Sequence, residues 1–527
     1  MSHTLKICLL FFLICIFLLC NNSPKEIQIN FIAGILQDKL VFYAIFIGLI
    51  YTVYCQCKYK NVFINFDKFL KFTIVFLGWI CVSLIIGLYT YPYYDLVLNG
   101  PVTQIEKLPK VINTLSNYEI FIDEKILTII WMIQGRIKGA LLEVLYTFGG
   151  AYMIYCWYHN NWRTALKILI KAVLVSLIVV FGYCFIELFY LAGSEIAESI
   201  LITITPYFHI VKSDGTWWPP LLLKGQVRSI FAEPSYYGIY FAFAMPFLWY
   251  FFIKAKERCY KLISFSAIIF FTFCLFLTQA RTAVALFCGE VFILSIFTVY
   301  LRNKFIFKAV GKIFIAIVIA FTLSGLFINN LLVDNKYDID GIESYLETNL
   351  YSLGSASQRS NNSRYSINIA DLKIGLDYPL TGVGPGLRNA YIPDYLPEMA
   401  KDNGEVKMWI KNQKEKGILR SGFPKLGEYT SRFAETGIIG LILFLIPPFI
   451  LLRKLYFKIT DKNMTVDDKL PYVFFTISLI GIMASGLGDT INITYCYWVL
   501  LGLGYAMCFG KENDVKDNGD TGSRQEH

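Results

Sequence analysis

Four arginines and one glutamate stand out among the polar residues of a very apolar chain. Arg228 and Glu233 fall in RSIFAEPSYYGIY, residues 228–240, which runs straight into FAFAMPFLWYFF. Arg281 lies in TQARTA, a short turn between two apolar runs. Arg364 and Arg388 lie in a long polar stretch, Arg388 just after GVGPG. A charge at the mouth of a membrane helix is costly unless it faces protein or a water-filled cavity, so each is a candidate for function. A guanidinium is a planar fork that matches phosphate oxygens and stays charged when partly buried. The plainer reading of each arginine is a surface side chain that snorkels to water. Glu233 is the only carboxylate of its motif. It can take a proton from a hydroxyl, or it can hold Arg228 or Arg281 by an ion pair. Tyr236 and Tyr237 sit in the same motif and would line whatever binds there.

Membrane helices must position these groups. Of 527 residues, 56% are hydrophobic and only 17% charged, against about 25% charged in soluble domains. Apolar runs fall at 5–20, 40–55, 69–91, 139–158, 168–192, 236–253, 262–279, 282–301, 312–331, 433–452, 471–488 and 491–509. Their lengths suit a bilayer, so the chain reads as an all-α polytopic membrane protein of about twelve spans. No A-x-A-like site follows the first run, which reads as a retained helix rather than a signal peptide. The net charge of +9 does not point to nucleic acid. Its basic residues crowd alternate short loops, among them Lys254, Lys256, Arg258 and Lys261, then Arg302, Lys304 and Lys308, then Arg453, Lys454 and Lys458. Positive loops stay inside, which puts both termini in the cytoplasm. The outer face then receives 92–138, with the amphipathic stretch IDEKILTIIWMIQGRIK, 193–235, and 332–432. The chain divides into spans one to nine with two outer loops (1–331), the large loop (332–432), three last spans (433–509) and a polar tail (510–527) that reads as disordered.

The 13 cysteines lie in or beside apolar runs, and the large loop has none. They read as small buried apolar residues, not as a disulfide framework or metal set. Four histidines, His3, His159, His209 and His527, cannot build a catalytic triad or a zinc site on the outer face. Neither metal nor cofactor is expected. Within the large loop, 334–347 is acidic. SRYSINIADLKIGLDYP then predicts a helix near 364–376, with Ile367, Ala370 and Ile374 on one face. GVGPG lacks the surroundings of a nucleotide-binding turn. A tight turn bringing backbone close to a neighbouring helix or a ligand fits it better.

At RSIFAEPSYYGIY, TQARTAVALF, SRYSINIADLKIGLDYPLTGVGPG and FAETGIIGLILFL the chain resembles the O-antigen polymerase and ligase superfamily, the Wzy-type bacterial membrane glycosyltransferases. The resemblance covers roughly 220–509 and implies a GT-C-like helical fold with a cavity facing the periplasm of the inner membrane. It implies metal-independent transfer of a growing glycan from undecaprenyl diphosphate onto a lipid-linked repeat unit. Expected partners are those lipid-linked donors and acceptors, the bilayer and a chain-length regulator membrane protein. On this reading Glu233, Arg228 and Arg281 are catalytic, while Arg364, Arg388, Tyr236, Tyr237 and Gly375 bind substrate. Polymerases of the family carry R-x10-G in outer loops. Arg364 to Gly375 has that spacing, and Arg228 to Gly238 is one residue short. Ligases carry a histidine in the large loop, whereas the corresponding PKLGEYTSRFAETG has none. That favours a polymerase over a ligase. A lipid-linked oligosaccharide flippase is the third reading, and it would call for repeats and broken helices, which the sequence lacks.

Overall fold

The structure, a computed structural model, describes residues 2–19, 39–59, 67–208, 225–331 and 359–510. His209, TWWPP, the acidic stretch 334–347 and almost all of the polar tail lie outside these. Regular structure among the described residues is helical throughout. The order is α1 (His3–Phe17), α2 (Leu40–Tyr59), α3 (Lys68–Tyr89), α4 (Tyr94–Leu98), α5 (Leu108–Asn117), α6 (Glu124–Tyr158), α7 (Trp162–Leu191), α8 (Glu195–Phe208), α9 (Pro234–Lys254), α10 (Arg258–Leu277), α11 (Arg281–Leu301), α12 (Lys304–Asn330), α13 (Arg359–Asp377), α14 (Arg388–Tyr395), α15 (Gly404–Lys416), α16 (Glu428–Thr460), α17 (Val466–Ser485) and α18 (Cys496–Phe509).

Ten of these helices are long and apolar enough to cross a membrane. The outer two of the expected twelve spans, α1 and α18, have 15 and 14 residues. A helix of that length covers only about 21 Å, short of the ~30 Å apolar core of a bilayer. A largely buried segment, 490–495, leads into α18. The run expected at 139–158 is the second half of the longer α6, whose first half is the amphipathic stretch of the 92–138 loop. The two halves join through a π turn at Leu145–Gly149, where the Tyr495 hydroxyl donates to the carbonyl of Tyr146.

The bundle is built around α9. It is apolar on every side, as a helix without a water-facing stripe must be, and it packs against α7, α10, α11 and α17. At one end, Lys254 at the foot of α9 pairs with Asp467 at the start of α17, 3.1 Å apart. The long connections meet at the other end. Tyr93 donates to Asp394 at 2.6 Å, Arg420 pairs with Glu106 at 2.6 Å, and Lys39 donates to the carbonyl of Asn492 at 3.0 Å. The described parts of the segments expected on the outer face therefore share one end.

The loop helix is present as α13. Its apolar face, Ile367, Ala370 and Ile374, is fully buried against the bundle-facing side of the loop, chiefly against α16. Gly375 belongs to that packing, since a side chain there would strike the ring of Phe433. The glycine-rich turn also has a structural job. α16 breaks at Gly437, where φ is +66°, and residues 379–384 lie alongside the break. Ile438 N donates to Pro379 O at 2.8 Å, Val383 N to Ala434 O at 2.9 Å, and Gly384 N to Glu435 O at 2.9 Å. Gly382, at φ +65°, lies so close to the backbone of Glu435 and Thr436 that a Cβ would clash. This left-handed, crowded position is one that glycine alone fills without strain.

Lys401 lies in the large loop and Lys458 near the opposite end of α16, so reporter fusions at the two should report opposite sides of the membrane. Equal signals would contradict the alternation of spans.

Candidate functional site

The motif 228–240 folds as a tight turn that caps α9. Glu233 is the N-cap residue and Pro234 the first helical residue, where its fixed φ and missing N–H are tolerated. Ser229 holds a left-handed φ of +56°, a conformation costing a β-carbon residue on the order of 1–3 kcal/mol. The turn is held from below. Glu187, fully buried in α7, accepts the amide of Ser229 at 2.8 Å, and Val227 N donates to Leu277 O at 3.1 Å. Arg228 is fully buried too. It lies beside Glu187 and Tyr183 and donates to the carbonyl of Ala232 at 3.4 Å. The structure therefore places Arg228 inside the turn, where it shapes the approach to Glu233. Tyr237 lies in the core, its hydroxyl on the carbonyl of Phe271 at 3.2 Å and its ring stacked on Phe241.

Arg281 opens α11 and is half-buried. The preceding Gln279 also has positive φ, +47°, and donates to Gly225 O at 3.2 Å, which ties this turn to the one before α9. The two helices touch within their first turns, because Gly238 leaves room for Ala283. Glu233 and Arg281 thus sit at neighbouring helix N-termini, each carrying a partial positive charge.

Arg364 reaches this place from the loop. Its guanidinium donates to the carbonyl of Gly488 and lies 3.6 Å from Asp489, in the turn after α17. It is also close enough to Glu233 to act on its charge, and Tyr236 is near all three. Burial raises the Glu233 carboxyl above its ordinary range, with Arg364 and the Ser235 hydroxyl opposing. Burial pushes Asp489 up to about 6, against the pull of Arg364 and the amide of Thr490. Two carboxyls poised above their usual range share one arginine here, an arrangement suited to proton transfer near neutral pH.

Arg388 is elsewhere. It is 1% exposed and pairs in bidentate fashion with Asp371 of α13, which also accepts from Ser431 at 2.9 Å. Its remaining donors reach the carbonyls of Phe423 and Pro424 at 3.3 Å. It locks α14 to α13 inside the loop.

A second charged layer lies beside the site in the first turns of α16. Glu428 accepts from Arg432 at 2.7 Å and from the Thr490 hydroxyl at 2.6 Å, and Arg432 also pairs with Glu143 of α6. Lys425 pairs with Glu435 at 2.6 Å. The parts played by Glu143, Glu428 and Arg432 are not evident from the sequence, although carboxylates at 143, 187 and 428 within or beside apolar stretches are a signal in themselves. Among the described residues, no three His, Cys, Asp or Glu side chains gather as a metal-holding group.

Between α16 and α17 runs an apolar groove lined by Tyr429, Leu445, Phe449, Leu452, Met483 and Leu487. Its loop-side end at Leu487 adjoins the Gly488–Asp489 turn that Arg364 holds.

Residues 265–411 match the family model Wzy_C, described as O-antigen ligase, so this segment is similar to the O-antigen ligase and polymerase superfamily. The matched segment contains Arg281, Arg364 and Arg388. No curated protein matches the chain.

Breaking the Arg388–Asp371 pair leaves a buried charge alone, at a cost of roughly 3–5 kcal/mol. Asp371→Asn should therefore lower the thermal midpoint of the purified protein far more than Asp394→Asn on the exposed loop surface. A second outcome concerns pH. The folded chain holds a proton on Asp489 up to about pH 6, one that the unfolded chain loses lower down. Raising the pH through that window removes stability from the fold while it completes the charge facing Arg364. Thermal midpoints measured across it should fall with pH, and Asp489→Asn should flatten the slope.

Proposed function

We propose that this chain works as a member of the O-antigen ligase and polymerase superfamily and joins glycans at the cluster of Glu233, Arg281, Arg364 and Asp489. A glycan carried on a polyprenyl diphosphate, the undecaprenyl carrier of bacterial surface polysaccharides, is moved onto a hydroxyl of a second, lipid-linked repeat unit. The observation that carries this reading is the meeting of Arg364 from the loop with Asp489 and Glu233, beside the start of α11 and at the end of a membrane groove. Cations, acids and an apolar channel are the three things a lipid diphosphate donor needs.

In the proposed step the acceptor hydroxyl attacks the anomeric carbon. The bond from that carbon to the diphosphate oxygen breaks, and the charge it releases grows on the leaving group. Fixed guanidinium forks and helix N-termini stabilise such charge without rearranging. Arg281 and Arg364 take this role, and Arg228 acts through the turn that places Glu233. Glu233 accepts the hydroxyl proton. A single displacement inverts the anomeric centre. The groove between α16 and α17 takes the isoprenoid chain. With the basic end in the cytoplasm of a bacterial inner membrane, this chemistry faces the periplasm.

The polymerase reading rests on the large loop, where PKLGEYTSR, the stretch before FAETG, has no histidine. The ligase reading has the description of the matched family in its favour. The lipopolysaccharide ladder of a strain lacking the protein separates them. One repeat per core means polymerase, unattached polymer means ligase, and an absent surface repeat would overturn both.

Arg281→Lys and Arg364→Lys keep the charge but lose the bidentate fork. Each should lose most polymer at normal membrane levels, as read on the same ladder. Glu233→Gln should abolish turnover and leave donor binding intact. Loss of binding as well would make Glu233 a structural partner of Arg364.

A further inference from the structure

Pro246 sits in the interior of α9, a helix buried along most of its length. Proline has no N–H, so the carbonyl of Ala242, four residues back, loses its helical donor. In a bilayer no water can replace it, and neighbouring helices must. The next carbonyl, that of Phe243, shows that α17 can supply such a donor: the Ser478 hydroxyl donates to it at 2.9 Å. One position earlier, the carbonyl of Ala242 faces Gly481 of α17, one turn from Ser478. A Cβ on Gly481 would stand 3.1 Å from Ala242 O and would collide with Oε1 of Glu290, which comes from α11. Three helices therefore converge at one point, and glycine is the only residue that leaves room for the carboxyl.

Glu290 is 1% exposed and lies near the middle of α11. Its Oε1 has no hydrogen-bond partner among the described residues. Charged side chains on α9, α11 and α17 are otherwise confined to the helix ends: Lys254, Arg281, Asp467, Asp468 and Lys469. A carboxylate in that position would be a lone buried charge, whereas a carboxylic acid carries the donor that the carbonyl lacks.

We propose that Glu290 is a positioning residue: as a neutral acid it donates its O–H to the carbonyl of Ala242 left open by Pro246, and so pins α9, α11 and α17 together at mid-membrane. At their loop ends these helices carry Glu233, Arg281 and the Gly488–Asp489 turn. The joint thus fixes the relative height of the groups to which the proposed reaction is assigned. Its consequence for activity rests on that reading, while the joint itself does not.

The test uses the purified full-length protein in lipid nanodiscs. Infrared difference spectra should show a protonated carboxyl band at neutral pH that Glu290→Gln removes. Glu290→Gln, which keeps a donor, should melt close to the wild type and make polymer. Glu290→Ala should melt lower and lose most polymer. Pro246→Ala restores an N–H to the helix, so the double variant Pro246→Ala, Glu290→Ala should recover both properties. The joint is overturned by absence of the band, by a Glu290→Gln protein that melts like Glu290→Ala, or by a double variant no better than Glu290→Ala. Recovery of melting without any polymer in any variant, wild type included, would instead sink the glycan-joining reading and leave the joint standing.

Discussion

The contact of Arg364 with the Gly488–Asp489 turn is the point at which loop and bundle become one object. The loop helix α13 brings the arginine, the end of α17 brings the acceptors, and the first turns of α9 bring Glu233 to the same place. Much else in the structure can be understood as support for that meeting. Arg388 and Asp371 stiffen α13 from behind, and the glycines of 382–384 let the chain press against the broken α16. Glu187 holds the turn that ends in Glu233. A charge so little exposed is stable only when its counter-charge is fixed nearby, and rigid supports on both partners are what fix it.

The same physics separates the charges of this end into two kinds. Arg388, Arg432 and Glu428 spend their hydrogen bonds on protein groups and are nearly sealed from solvent. Arg364 keeps about a fifth of its side chain accessible, and Arg281 stays half-buried at a helix start. Sealed pairs hold the fold. Accessible cations beside raised carboxyls are where a ligand phosphate can compete for a guanidinium. This division, more than the number of arginines, is what points to a site.

The membrane helices, their order and the loop helix with its buried Ile367, Ala370 and Ile374 were legible in the sequence, because apolar length and helical spacing are local properties. The role of GVGPG as a close-approach turn was legible for the same reason. The charge pairings were not. Arg432 meets Glu143 across 289 positions and Arg388 meets Asp371 across a turn of the loop. No periodicity encodes such meetings. Arg228 shows the difficulty plainly: its place at a helix mouth suggested an exposed fork, and only the packing of α7 against the turn reveals that Glu187 stands beneath it. The length of α6 was hidden for another reason. Its first half is amphipathic and charged, so hydropathy alone divided one helix into a loop and a span.

The π turn in α6 has a bearing on how such a chain tolerates insertion and deletion. A π turn holds one residue more than an α turn, and each helical residue turns the side-chain direction by about 100°. Everything before Leu145 is therefore rotated relative to a regular helix. Glu143 lies just before that surplus residue, and without it the carboxylate would turn away from Arg432. The hydroxyl of Tyr495, seated on the carbonyl of Tyr146, occupies the widened turn. Five residues at mid-helix thus act as a fixed gear between the membrane half of α6 and its loop half. Loss of a single residue among them would leave hydropathy and length almost unchanged, yet it would swing an entire charged face away from its partners.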